Sequence, residues 1–222
     1  MLKKLKYIVS PTLINDALLS IPEVDFKISL NEPTGDFFYD KWEIKLPFRN
    51  TVWESLLSSL PDNVGEARLI ILKPGTCYQS HADIDDRYHL TIQSHYAYLI
   101  NIDTQQMHQL LQDNTWHEFN ASCRHSAANF GVLDRVQLVV RKLLHNPTLT
   151  NGITVKLTST LDFDDERFMF DDIISSWLNL AVKKMVISNF KATNRAVTFD
   201  IEKSAINKLY RILPKEFTLK EL

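Results

Sequence analysis

Within nine residues, His81-Ala82-Asp83-Ile84-Asp85-Asp86-Arg87-Tyr88-His89, the chain sets two imidazoles and a guanidinium among several carboxylates. In extended backbone, side chains at i and i+2 project to the same side. His81 and Asp83 can therefore offer a nitrogen and an oxygen to one ion. The pair by itself is weak evidence, because 7 His and 27 acidic residues among 222 positions give about 0.85 such pairs by chance (7 × 27/222). A hydrogen-bonded His–Asp pair and a ligand pair both fit it.

Its company is more informative. Strand-like segments follow at Tyr96 to Ile102 and Trp116 to Phe119, and then comes His125-Ser126-Ala127-Ala128-Asn129. Ten residues beyond His125, Arg135 opens the alternating run Arg135-Val136-Gln137-Leu138-Val139-Val140, whose even positions are apolar. Two imidazoles and one carboxylate on one face of an ion, with other positions open, suit a non-haem Fe(II) oxygenase. Three such ligands plus water also describe catalytic zinc, so a Zn(II) hydrolase stays open, as does a cupin-like metal-binding module without turnover. A buried arginine suits the far carboxylate of a dicarboxylate, since its fork makes paired charge-assisted hydrogen bonds.

Together, Pro74-Gly75-Thr76, His81-x-Asp83, Arg87-x-His89 and His125 with Arg135 ten residues on resemble the aspartyl/asparaginyl β-hydroxylase branch of the Fe(II)/2-oxoglutarate-dependent dioxygenases. The resemblance covers residues 66 to 144. It implies that His81, Asp83 and His125 hold Fe(II), and that Arg135 pairs with the distal carboxylate of 2-oxoglutarate. Arg87 and His89 are implied to line the same pocket, although Arg87 can also form a surface ion pair with Asp85 or Asp86. The reaction implied consumes O2 and hydroxylates a C–H bond of an amino acid, a peptidyl residue or a small metabolite. Some relatives lack the carboxylate ligand, which Asp83 supplies here. One departure concerns the strand before the Pro-Gly-Thr turn, where Ile70 stands in place of a small polar residue that would help hold the co-substrate.

The fold expected is a double-stranded β-helix, a cupin-like jelly-roll, with flanking N-terminal helices and a small C-terminal α+β unit. The boundary is placed at 147/148. Ser10-Pro11 reads as an N-cap followed by a proline at the first helical position, opening a short helix that ends near Ile21-Pro22. Lys41 to Leu46 reads as a strand. Thr51 to Leu60 reads as an amphipathic helix stopped by Pro61, and Arg68 to Leu72 as a buried strand ending in a turn. After the joint at His145-Asn146-Pro147-Thr148, the pattern predicts a strand over 153–158, a helix over 165–185, a strand over 195–201 and a last helix before Pro214. The C-terminal unit supplies no ligand and is expected to shape substrate access or self-association. The acids Asp162, Asp164, Asp165 and Glu166 read as stabilisers of a helix N-terminus rather than as a cation site. Phe37, Phe38, Tyr39 and Trp42 read as core in preference to a substrate mouth.

Composition sets bounds. With 45% hydrophobic residues over 222 positions, the chain can bury an ample core. A net charge of −2 gives no basic footprint for nucleic acid. Cys77 and Cys123 read as reduced, half-buried thiols of a cytoplasmic protein. The basic N-terminus is interrupted by Ser10-Pro11 too soon for a signal peptide or membrane span. His95, His108, His117 and His145 read as ordinary core or surface residues.

Overall fold

Residues 2–61, 64–159, 172–192 and 196–222 are described by a computed structural model. The chain is mainly β, and its sheets are antiparallel. In order, the elements of the first part are β1 (Leu2–Ile8), α1 (Pro11–Leu19), β2 (Lys27–Ser29), β3 (Asn31–Pro33), β4 (Trp42–Ile44), α2 (Val52–Leu57), β5 (Val64–Leu72), β6 (Thr76–Cys77), β7 (Arg87–Gln93), β8 (Ala97–Asn101), β9 (Gln106–Gln109), β10 (Thr115–Phe119), β11 (His125–Asn129) and β12 (Arg135–Lys142). The second part has β13 (Gly152–Ser159), α3 (Asp172–Lys183), β14 (Ile187–Ala192), β15 (Ala196–Glu202), α4 (Lys203–Ile212) and β16 (Phe217–Glu221).

Two compact units result. One comprises Met1–Ser80 with Asp85–Leu143, and the other Leu144–Leu222 with the short loop His81–Ile84. In the first unit, among the described residues, strands in the order β1-β10-β7-β12-β5-β2 make the larger sheet, and β6-β11-β8-β9 make a second. Strand alternation gives the larger sheet two unlike faces. Val136, Leu138 and Val140 of β12, Leu90 of β7, and Ala67, Leu69 and Ile71 of β5 lie in register with one another. They are buried in one cluster with Ile14 and Ala17 of α1 and Trp53 and Leu56 of α2. The opposite set is also buried but polar: Arg135 and Gln137 of β12 beside His89 and Thr91 of β7. A smaller apolar cluster joins the two sheets through Phe119 of β10, Leu99 of β8 and Ala127 of β11, with Tyr78 packed against it.

Local chemistry explains most boundaries. The Ser10 hydroxyl accepts the Leu13 amide at 3.2 Å and Pro11 takes the first turn, so α1 starts where the cap is strongest. Thr51 caps α2 through the Trp53 amide at 3.3 Å. After β5, Lys73-Pro74-Gly75-Thr76 closes with the Thr76 amide on the Lys73 carbonyl at 3.3 Å. Gly75 adopts φ +72° there, which is the third position of a type II turn, with proline before it. The chain is thereby turned into β6.

Several expectations change. The strand predicted at Lys41 to Leu46 is three residues long and, among the described residues, pairs with β3. The helix predicted over 165–185 is described from Asp172 to Lys183; its earlier part, and the acids Asp162, Asp164, Asp165 and Glu166, lie outside the described residues, as does Arg195. β1 pairs with β10 and β16 with β13, neither of which the sequence pattern announces. Cys77 is exposed because β6 is an edge strand, while Cys123 is half-buried; both thiols are unbridged. Phe37 packs edge-on against Phe38 and Trp42, each at 5.0 Å, and the Arg141 guanidinium lies over the Phe37 ring at 4.4 Å. Among the described residues, no helix is long and apolar enough to cross a membrane.

Candidate metal centre and anion pocket

His81 and Asp83 are not on a strand, as the i, i+2 argument assumed. They sit in the loop between β6 and β7, where His81 makes a single bridge and residues 82–86 are irregular. The loop still presents both side chains to one point. His81 Nε2 lies 3.8 Å from Asp83 Oδ2, and ligand atoms of His81, Asp83 and His125 all lie within 4.8 Å of one another. His125 opens β11 and is buried. Its Nδ1 lies 2.9 Å from the Cys123 carbonyl. A carbonyl only accepts, so Nδ1 carries the proton and Nε2 carries the lone pair that a metal needs. The Phe119 ring meets the imidazole edge-on at 4.6 Å. The arrangement fits a cation, because two imidazole nitrogens and a carboxylate oxygen are ligands of the right softness for Fe(II) or Zn(II).

The loop is held from within the second unit. Asn179 of α3 is 1% exposed, and its amide donates to the Asp83 backbone carbonyl at 3.1 Å. Ala82 and Ile84 on either side are buried. The two candidate ligands of the loop thus alternate with buried residues.

Arg135, first residue of β12, is 1% exposed, and its Nε and Nη1 have no hydrogen-bond partner. A buried guanidinium without an anion costs several kcal/mol, and such an orphan calls for a functional explanation. Burial pushes its pKa down from the usual arginine range. The nearby Tyr78 ring lies 5.8 Å from the guanidinium carbon. His89 of β7 is also buried, with Nδ1 unpartnered. Burial first, then the positive fields of Arg135, His125, Arg87 and His117, hold its pKa well below the ordinary histidine value, so it is neutral. Gln137 completes this polar face: its amide donates to Thr91 Oγ1 at 2.7 Å, while its Oε1 has no partner.

Arg87 is buried and pairs with Asp85, which Arg141 also engages. The ion pair weighed from the sequence is therefore present, but inside the protein rather than at its surface. Asp86 does different work, accepting the Ala121 amide at 3.2 Å.

Residues 45–143 match the family model Aspartyl/Asparaginyl beta-hydroxylase. This bears out the branch resembled by the sequence motifs, and the matched stretch ends where the first unit ends. No curated protein matches the chain. The family points to a hydroxylase, and the His81, Asp83 and His125 cluster is one that can hold a metal.

Three residues with a place in this site escaped the sequence pattern. Gln137 had a signal, since it shares the odd-numbered face of β12 with Arg135. Tyr78 and Asn179 had none, because their partners lie 57 and 96 residues away in the chain.

Proposed function

We propose that the protein is an Fe(II)- and 2-oxoglutarate-dependent oxygenase that hydroxylates a C–H bond of an amino acid, a peptidyl residue or a small metabolite. The observation that carries this reading is Arg135, a fully buried cation with two unpartnered nitrogens in the unit that also holds His125 of the metal cluster. A Zn(II) hydrolase or a passive metal-binding module needs no such anion pocket. On this reading the two antiparallel sheets of the first unit are those of a double-stranded β-helix, with the site between them.

His81, Asp83 and His125 would hold the metal, which with 2-oxoglutarate and O2 supplies the oxidising chemistry that the side chains lack. Arg135 would receive the distal carboxylate and fix the co-substrate's direction. His89, kept neutral by burial, lines the same pocket with a nitrogen that can hydrogen-bond without adding charge. Arg87 lines its edge, steered by Asp85. Phe119, in edge contact with His125, belongs with Leu99 and Ala127 to a buried apolar cluster that would keep water from that side of the imidazole. Two unbridged thiols suit a reducing, cytoplasmic setting, and the substrate is a small molecule or a peptidyl side chain.

The test is metal analysis of protein purified without oxygen, followed by an assay for O2-dependent conversion of 2-oxoglutarate to succinate. Candidate substrates are then screened by mass for the gain of one oxygen atom. Zinc content with no succinate would transfer the reading to the hydrolase.

A further inference from the structure

The strand position at which the resemblance implies a small polar co-substrate donor is Ile70, which lies across the sheet from Gln137 and two pairs from Arg135. A hydroxyl from a different element, that of Tyr78, stands near the Arg135 guanidinium instead. Tyr78 follows β6 and is clamped to β11 on both sides of its backbone: its amide donates to the Ala127 carbonyl at 2.9 Å, and its carbonyl accepts the Ser126 hydroxyl at 2.6 Å. Its ring packs edge-on against Phe26 at 5.4 Å, which sets the direction of the phenol. The ring lies 5.8 Å from the Arg135 guanidinium carbon. The Tyr78 hydroxyl is buried beside the Arg135 guanidinium, which acts on it through its positive field and hydrogen bonding, while its own proton goes undonated and Nε and Nη1 of Arg135 have no hydrogen-bond partner.

A phenol carries one donor hydrogen, and buried donors go unpaired at a cost to stability. Two such groups side by side, one cationic and one neutral, match one acceptor-only anion. A carboxylate has two oxygens and about four lone-pair directions, enough for a guanidinium and a hydroxyl together.

We infer that Tyr78 is the second donor of the anion pocket, its phenol O–H binding, with Arg135, the distal carboxylate of the dicarboxylate co-substrate. This rests on the reading of Arg135 as the co-substrate arginine. Burial raises the Tyr78 pKa, so the phenol keeps the proton it donates. The packing against Phe26 and β11 holds the donor in place beforehand, so little side-chain freedom is lost on binding. The pocket accordingly selects 2-oxo acids with a second carboxylate at the far end, and Tyr78 sharpens that selection without touching the metal.

The experiment uses the full chain loaded with Mn(II), which keeps the site free of turnover, and calorimetric titration of two ligands. These are 2-oxoglutarate and 2-oxopentanoate, which has a methyl group in place of the distal carboxylate. Tyr78→Phe is expected to weaken 2-oxoglutarate about tenfold or more, as for loss of one buried hydrogen bond to a charged group, while 2-oxopentanoate and Mn(II) bind as in the wild type. In wild-type protein, 2-oxoglutarate but not 2-oxopentanoate should perturb the tyrosine ultraviolet absorption, a readout that needs no variant. Unchanged 2-oxoglutarate affinity in Tyr78→Phe, alongside a loss in Arg135→Ala, overturns the Tyr78 assignment and leaves the oxygenase reading intact. Equal weakening of both ligands likewise overturns it. Failure of the wild type to bind 2-oxoglutarate at all removes the reading on which it rests.

Discussion

The larger sheet of the first unit and the sheet β14-β15-β13-β16 of the second use the same alternation to different ends. In the second, Val155 and Leu157 of β13 and Val197, Phe199 and Ile201 of β15 are buried, and the residues between them carry polar side chains. Those polar groups satisfy one another: Thr154 donates to Asp200 at 2.6 Å, and Asn189 donates to the other Asp200 oxygen at 2.6 Å. This is what a sheet with one face on the core and one toward solvent requires. The larger sheet buries both faces, and on one of them it places Arg135, Gln137 and His89 with unpartnered atoms. On the proposed function, polar groups buried at a cost to folding mark the sheet that serves a ligand, whereas the satisfied sheet serves the fold.

The largest expected effect falls on the metal. His125→Ala removes one of the three proposed ligands, and Fe(II) or Mn(II) content measured after desalting should drop to background, with the far-ultraviolet spectrum retained. Full metal content in that variant would leave the His81, Asp83 and His125 cluster without its role.

Next comes the anion pocket. Removing one partner of a buried charge pair costs about 2 to 5 kcal/mol, so Arg135→Ala should weaken 2-oxoglutarate by roughly 30-fold or more. Metal affinity should be unaffected. Arg135→Lys should recover part of the loss, since an ammonium keeps charge but not the planar fork. Because its burial is unpaired, Arg135→Met should also raise the stability of the ligand-free protein; a fall in the denaturation midpoint would indicate that the arginine serves the fold after all.

A third effect tests whether the second unit is only a fold. The sequence placed residues after 147 outside the metal chemistry, and on that view a chain ending near Leu144 still binds iron. The bond from Asn179 to the Asp83 carbonyl leads to a different outcome. Asn179→Ala should weaken metal binding about tenfold, the usual scale for a group that orients a ligand, and the truncated chain should do no better. Wild-type metal affinity in both would return the second unit to a spectator.

The smallest effect is electrostatic. His89 has a folded pKa lowered from 6.5, so the stability it contributes is fully present above that value and is lost as pH falls below it, where the unfolded chain takes up a proton that the folded one refuses. The slope for one proton is about 1.4 kcal/mol per pH unit. Denaturant midpoints of metal-free protein between pH 7 and 5 should fall more steeply for the wild type than for His89→Gln, and equal slopes would assign the acid sensitivity elsewhere.

What the sequence alone determined about this protein is what short-range physics writes into it. The Ser10 cap with Pro11, the glycine of the Lys73 to Thr76 turn, the alternation of β12 and the chemical identity of the His81, Asp83, His125 and Arg135 groups were all legible. Each depends on residues within a few positions or on side-chain type. The tertiary structure alone decided that His81 and Asp83 meet His125 from a loop, that Arg87 turns to Asp85, and that β1 and β16 are strands. It also brought Tyr78 beside Arg135 and Asn179 to the Asp83 carbonyl. Those outcomes are set by strand register and by helix packing between residues far apart in the chain, where no local spacing or periodicity encodes the partner.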